Sequence, residues 1–176
     1  ARTNDQEYNV VTVGNQLSKN LYEKFNISSS HEITNHEPPK LSTAYARSLE
    51  TISKYLKPHD DDDTILIDVH RDAYNSNSWD PSYVVIDGVR VARIMFIVGM
   101  GKGFDDKPEW KKNLDYAEEL TKQLNKIHPD LARAVKIKDG RYNQHMSEYS
   151  LLVEIGHHEN TLQEALNATK YLSQAI

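Results

Sequence analysis

Apolar residues recur at three- and four-residue steps through Val10, Val13, Leu17, Leu21 and Phe25. That spacing lays one stripe along a helix of about four turns. Residues 27–33 are short and polar and read as a brief edge strand. After the break at Pro38-Pro39 a second stripe, Leu41, Tyr45, Leu49, Ile52 and Leu56, predicts another amphipathic helix, closed by Pro58. The acidic run Asp60 to Asp63 reads as a solvated loop. The pattern then changes. Thr64 to His70 is a near-continuous β-branched and apolar run, the signature of a strand buried on both faces of a parallel sheet. Residues 82–86 and 89–98 flank Asp87-Gly88, a strong hairpin signal. Residues 99–103 form a flexible turn. Pro108 suits the first turn of a helix running to His128, with Leu114, Ala117, Leu120, Leu124 and Ile127 inward. Residues 132–137 and 150–155 read as two more strands, the second of the buried type. The last helix starts at Thr161, which has capping-box spacing to Glu164, and carries the stripe Leu162, Ala165, Leu166, Thr169 and Leu172. Helices alternating with buried strands predict an α/β layered sheet with helices on both faces and a hairpin insertion, in one domain spanning 1–176.

Composition narrows the chemistry. The chain has 176 residues, 38% of them apolar, and its length suits a single core. Its longest apolar run, Ile94 to Val98, is too short to span a bilayer. The formal net charge of −5 counts against a duplex DNA binder, which needs basic surface. There is no cysteine, so disulfides, thiol nucleophiles and thiolate metal sites are excluded. Any metal must be held by the eight histidines and the acids.

Ligand sites of open α/β sheets lie at the carboxyl ends of strands. Two strands end in reactive residues: Asp68-Val-His70-Arg71-Asp72, and Glu154-Ile-Gly-His157-His158-Glu-Asn160. If they are parallel neighbours, His70 and Glu154 emerge together, and such a pair can supply a metal ligand and a general base. A structural rim, with His70 and Glu154 hydrogen-bonded and Arg71 and Asp72 paired locally, is the alternative. Adjacent residues point apart in extended backbone, so His157 and His158 cannot readily share one metal. His59 and His128 border prolines as helix-end residues, and His31 and His36 read as surface. His145 follows a polar loop in which Asn143 and Gln144 offer amide donors to a substrate's carbonyls. Tyr74 and Trp79 could stack on a peptide or sugar.

Two segments, Leu66 to Ala73 and Leu152 to Gly156 followed by Glu159-Asn-Thr161, resemble the downstream signatures of the stage II sporulation protein P family. Arg2-Thr and Asp5, Tyr8 to Val11, Gly14, His31-Glu and Thr34, Ala44-Tyr45, Ser48 and Tyr142 to Gln144 agree in order and spacing, so the resemblance covers the whole chain. It implies an amidase-like (phosphorylase/hydrolase-like) α/β fold and zinc-dependent N-acetylmuramoyl-L-alanine amidase activity on peptidoglycan, with endopeptidase activity on the stem peptides also associated. It implies that His70 is a zinc ligand and that Glu154 is the catalytic carboxylate that takes the proton of the attacking water. Arg71 and Asp72 would orient His70 or its strand end. By position alone, Asn143 and Gln144 in their loop and one of His157 and His158 at the strand end are candidates to bind substrate in the cleft. The family works outside the cytoplasm, between the mother-cell and forespore membranes, tethered by a membrane anchor outside this chain, and cooperates with stage II sporulation protein D.

The family's first strand, ending in a His-Thr-His-like motif with a nearby Glu, has no counterpart before Ala1. The chain is therefore expected to be an N-terminally truncated or processed form, and one histidine cannot make a three-ligand site. Glu7 is a local substitute ligand in this reading. His157-His158 departs from the smaller residues of many relatives. A non-catalytic wall- or partner-binding module stands as the alternative. A metal phosphoesterase, suggested by His70-Arg-Asp72, is opposed by the lack of a second dense carboxylate cluster.

Overall fold

A computed structural model of the chain describes residues 9–56, 64–73 and 81–176. The two buried-type runs form strands β1 (Ile65–Asp72) and β6 (Tyr149–His157), which lie side by side and parallel. With β4 (Ile94–Gly99) and β5 (Lys136–Lys138) they make a four-stranded sheet in the order β1-β6-β4-β5. β4 runs antiparallel to β6 and parallel to β5, so the sheet is mixed. The hairpin forms as expected from β2 (Tyr83–Ile86) and β3 (Val89–Ala92), a separate two-stranded sheet. Asp87 and Gly88 both take the left-handed backbone that a tight primed turn needs.

Helices α1 (Val10–Phe25), α2 (Ala44–Leu56), α3 (Trp110–Ile127) and α4 (Leu162–Ala175) complete the α/β layers. Ile67 and Val69 of β1, Leu151, Val153 and Ile155 of β6, and Ile94, Phe96 and Val98 of β4 alternate onto one face of the sheet. Val13, Leu17 and Leu21 of α1, Ala117, Leu120 and Leu124 of α3, and Ala165, Ala168 and Leu172 of α4 cover that face. The intervening residues Met95, Ile97 and Leu152 form a small second cluster on the opposite face, with Tyr142 packed on it. α2 contributes to this second side through Tyr45.

The helix ends follow local chemistry. The Asn9 side chain accepts from the Val11 amide at 2.8 Å and starts α1, and Asn26 ends it in the left-handed region. The capping box of α4 closes both ways: the Glu164 amide donates to Thr161 Oγ1 and the Thr161 amide to Glu164 Oε2.

Three local expectations are corrected. Residues 27–33 form no strand, and Ile27 and Ile33 are exposed. Residues 89–98 are not one strand. The chain breaks at Arg93, whose amide donates to Ser82 O and whose Nε donates to Asp130 O, so β3 and β4 enter different sheets. The strand expected at 132–137 shrinks to β5, with Ala132 making only an isolated bridge to Ile94. Glu7, Pro58, His59, the acidic run 60–63, Tyr74 and Trp79 lie outside the described residues.

Candidate functional site

β1 and β6 run in register from Ile65 opposite Tyr149 to His70 opposite Glu154. The two runs that looked reactive therefore meet residue against residue. His70 and Glu154 are lateral partners, and alternation puts Leu66, Asp68 and His70 on the same side of β1. The register then slips, and Asp72 lies opposite His157. The slip is a bulge that Gly156 permits: its φ is +69°, and a Cβ there would sit 2.6 Å from Asn160 Oδ1 and 3.0 Å from the Ala92 methyl. Bulges beside a site re-aim its side chains, and this one starts two residues beyond Glu154.

Glu154 is 9% exposed, and its Oε2 is sealed from solvent with no hydrogen-bond partner among the described residues. Burial pushes its carboxyl pKa up, and Asp72 and Asp68 push the same way; His70 and Lys138 pull it down. A buried acceptor without a donor costs about 1–3 kcal/mol. A desolvated carboxylate with an open lone pair is a stronger proton acceptor than one in water.

Sequence reading missed the next residue. His70 Nε2 lies 3.0 Å from Asp68 Oδ1, two positions back on the same side of β1. Asp68 Oδ2 accepts from the Tyr45 hydroxyl at 3.1 Å, and burial, then Asp68 itself, pushes that phenol's pKa far up, so it stays a donor. Tyr45 is held in turn. Its carbonyl accepts from Asn143 Nδ2 at 2.8 Å, which also donates to Ser48 Oγ at 2.9 Å, and its ring meets Tyr142 edge-on at 5.5 Å. The clue was the i, i+2 spacing of Asp68 and His70 in a strand. The Tyr45 link joins residues 23 apart in sequence and has no local signal.

The remaining candidates fall into place around this pair. Asn143 and Gln144 are buried, and their amides donate within the chain. Gln144 Nε2 donates to Ile97 O at 2.8 Å while its Oε1 accepts from the Gly99 amide at 2.7 Å, so the side chain pairs with the backbone at the end of β4. Arg71 Nε donates to His157 O at 2.8 Å and its Nη2 donates to Asn160 O, tying β1 to the loop after β6. Asp72 pairs with Arg133 at 3.0 Å, and its carbonyl accepts from the His158 amide. His157 is buried, which lowers its pKa, and its Nδ1 accepts from the Glu159 amide at 3.2 Å. His158 is exposed in the turn that follows β6, and its ring meets His157 edge-on at 5.9 Å. The other histidines sit elsewhere: His31 bonds Asn15 and packs over Gly14, His36 bonds Thr51, His128 caps α3, and His145 faces Asp106.

An imidazole held by a carboxylate and a buried carboxylate with an open oxygen are donor types that zinc takes. Among the described residues no three His, Asp or Glu side chains are grouped to hold an ion. No helix among them is long and apolar enough to cross a membrane.

Comparison with known proteins matches the whole chain, residues 1–176, to the family model of stage II sporulation protein P. Stage II sporulation protein P of Bacillus subtilis (strain 168) is 33% identical over 109 residues, which is 58% of this chain and 25% of that protein. The match thus spans about a quarter of the relative's length. The chain belongs to the stage II sporulation protein P family.

Proposed function

We propose that the chain carries the site of a zinc-dependent N-acetylmuramoyl-L-alanine amidase that cleaves peptidoglycan during sporulation, with endopeptidase activity on stem peptides as a second reaction of the same cleft. The observation that carries this reading is Glu154: a buried carboxylate with one open oxygen, directly opposite His70 on a parallel neighbour strand.

Glu154 takes the proton of the attacking water and returns it to the departing amine. Its strand and the Gly156 bulge hold it still for both transfers. His70 is a ligand, and Asp68, held by Tyr45, fixes its ring. Zinc, when bound, polarises the scissile carbonyl and acidifies the attacking water. Arg71 Nε, donating to His157 O, and the Asp72 carbonyl, accepting from the His158 amide, keep the ends of β1 and β6 together beside His70 and Glu154. Action outside the cytoplasm, a membrane tether outside this chain and cooperation with stage II sporulation protein D belong to the same proposal.

The test is muropeptide release from purified cell wall with added zinc. Glu154→Gln is expected to lower release about 10²–10⁴-fold, the range of a lost general base. Wild-type release by that variant overturns the role of Glu154. Elemental analysis tests the metal: stoichiometric zinc that disappears in His70→Ala supports the ligand role. Wall binding without zinc or release identifies a binding module instead.

A further inference from the structure

α2 has no fully buried residue, and none of its residues belongs to either apolar cluster. Its place is set by polar ties. Some of them serve the site: the Tyr45 hydroxyl donates to Asp68 Oδ2, and Asn143 Nδ2 donates to Tyr45 O and Ser48 Oγ. The others run to the irregular segment 27–40 that precedes the helix. The Tyr55 hydroxyl donates to Glu32 Oε2 at 2.8 Å, and His36 Nε2 lies 2.9 Å from Thr51 Oγ1. That segment is fastened in turn to α1, which Val13, Leu17 and Leu21 root in the core. Ser29 Oγ lies 2.6 Å from Ser18 Oγ, and His31 Nδ1 2.8 Å from Asn15 Oδ1, its ring filling the space that a Cβ at Gly14 would need.

Arg47 is the densest of these ties. Its Nε donates to His36 O at 2.8 Å, its Nη1 to Thr43 Oγ1 at 2.7 Å, and its Nη2 to Glu37 O at 3.1 Å and Lys40 O at 2.7 Å. Pro38 and Pro39 bring no amide hydrogen, so the turn cannot satisfy the His36 carbonyl by itself. The ordinary use of such an arginine ends there, at a turn whose carbonyls have donors. Arg47, however, stands two residues after Tyr45, about 3 Å along the axis of the same helix. Whatever fixes the first turns of α2 fixes the approach of Tyr45 to Asp68, and Asp68 lies 3.0 Å from His70 Nε2.

We propose that Arg47 is a positioning residue for His70. It locks the start of α2 to segment 27–40, so that Tyr45 meets Asp68 and Asp68 holds the imidazole in one orientation. The inference rests on the reading of His70 as a ligand and deepens it: the support of the ring reaches back through α2 to α1.

The test uses the full chain without metal, labelled with ¹⁵N-histidine, at one fixed pH. NMR follows the imidazole N–H of His70 and its exchange with water. Arg47→Met should speed that exchange about three- to tenfold, the effect of loosening one hydrogen bond. Arg47→Lys keeps the charge without the planar fork and should fall between. Tyr45→Phe should speed exchange as much as Arg47→Met, and combining the two should add nothing, since both act through the same bond. Protected β6 amides verify that each variant is folded; if Arg47→Met is not, Arg47→Lys carries the same cycle. Wild-type exchange in the folded Arg47 variant, an additive effect in the double variant, or no protected N–H in the wild type overturns the role. The readout involves neither zinc nor turnover. Glu154→Gln with wild-type wall release would therefore remove the proposed base and leave this contrast standing.

Discussion

The two faces of the main sheet use the same strands in opposite ways. On one face, α1, α3 and α4 bury an almost entirely aliphatic cluster, and Asn20, buried beside it, donates its Nδ2 to Thr169 Oγ1 at 2.9 Å. On the other, alternate residues of β1, β6 and β4 present Asp68, His70, Glu154, Met95 and Ile97, and α2 has no fully buried residue. α4 buries residues along its whole length. The strands that carry the core thus also carry the chemistry, at adjacent positions. A side chain of the site is held as rigidly as the core residue beside it, and the unsatisfied Glu154 oxygen is tolerated because the opposite face supplies the stability.

The contrast can be broken most severely by cavity mutations. Phe96→Ala on the packed face should cost about 3–5 kcal/mol, and Leu152→Ala in the small opposite cluster about 2 kcal/mol, both read by urea unfolding. Equal costs would mean that the second cluster is as much a core as the first.

Next comes pH. The folded Glu154 carboxyl has a raised pKa, so between the ordinary carboxylate range and that raised value the fold holds a proton that the unfolded chain has released. Stability should therefore fall as pH rises through this window. Glu154→Gln should remove that fall, and parallel melting-temperature profiles for the two proteins would contradict it. Cleavage should follow the ionised carboxylate and decline as pH drops through the same window.

Thr161→Ala takes the side-chain cap from α4 and should cost about 0.5–2 kcal/mol of stability without changing zinc affinity. Tyr45→Phe is the smallest change and the most selective. Losing the bond to Asp68 should cost about 0.5–1 kcal/mol, but here zinc affinity should fall as well. An unchanged affinity would separate Tyr45 from the site.

How much of this was legible depended on whether the deciding contacts were local. The stripes of α1, α3 and α4, the Asp87-Gly88 turn and the Thr161 capping box are written within a few residues, and they form. The meeting of His70 with Glu154 was legible because both buried runs end in polar residues, and parallel pairing aligns such ends. The break at Arg93 was not, since its partners Ser82 and Asp130 lie far along the chain. Nor was the absence of a strand at 27–33, where short polar residues find no sheet edge to join. Asn143 and Gln144 read as exposed donors because their loop is polar. Their burial reflects one carbonyl of α2 and the backbone at the end of β4, which no local pattern announces.

The β1–β6 pairing has a consequence in time. His70 and Glu154 are separated by more than eighty residues, and α2, β4 and α3 belong to the intervening or flanking chain. Closing a loop of that size is among the slow events of folding, since local helices can form well before distant strands pair. Until β6 docks against β1, Glu154 and His70 belong to two segments far apart in the chain. A chain that is still folding, or has locally come apart along this seam, has no assembled His70–Glu154 pair. Completion of the fold and arming of the site are one event.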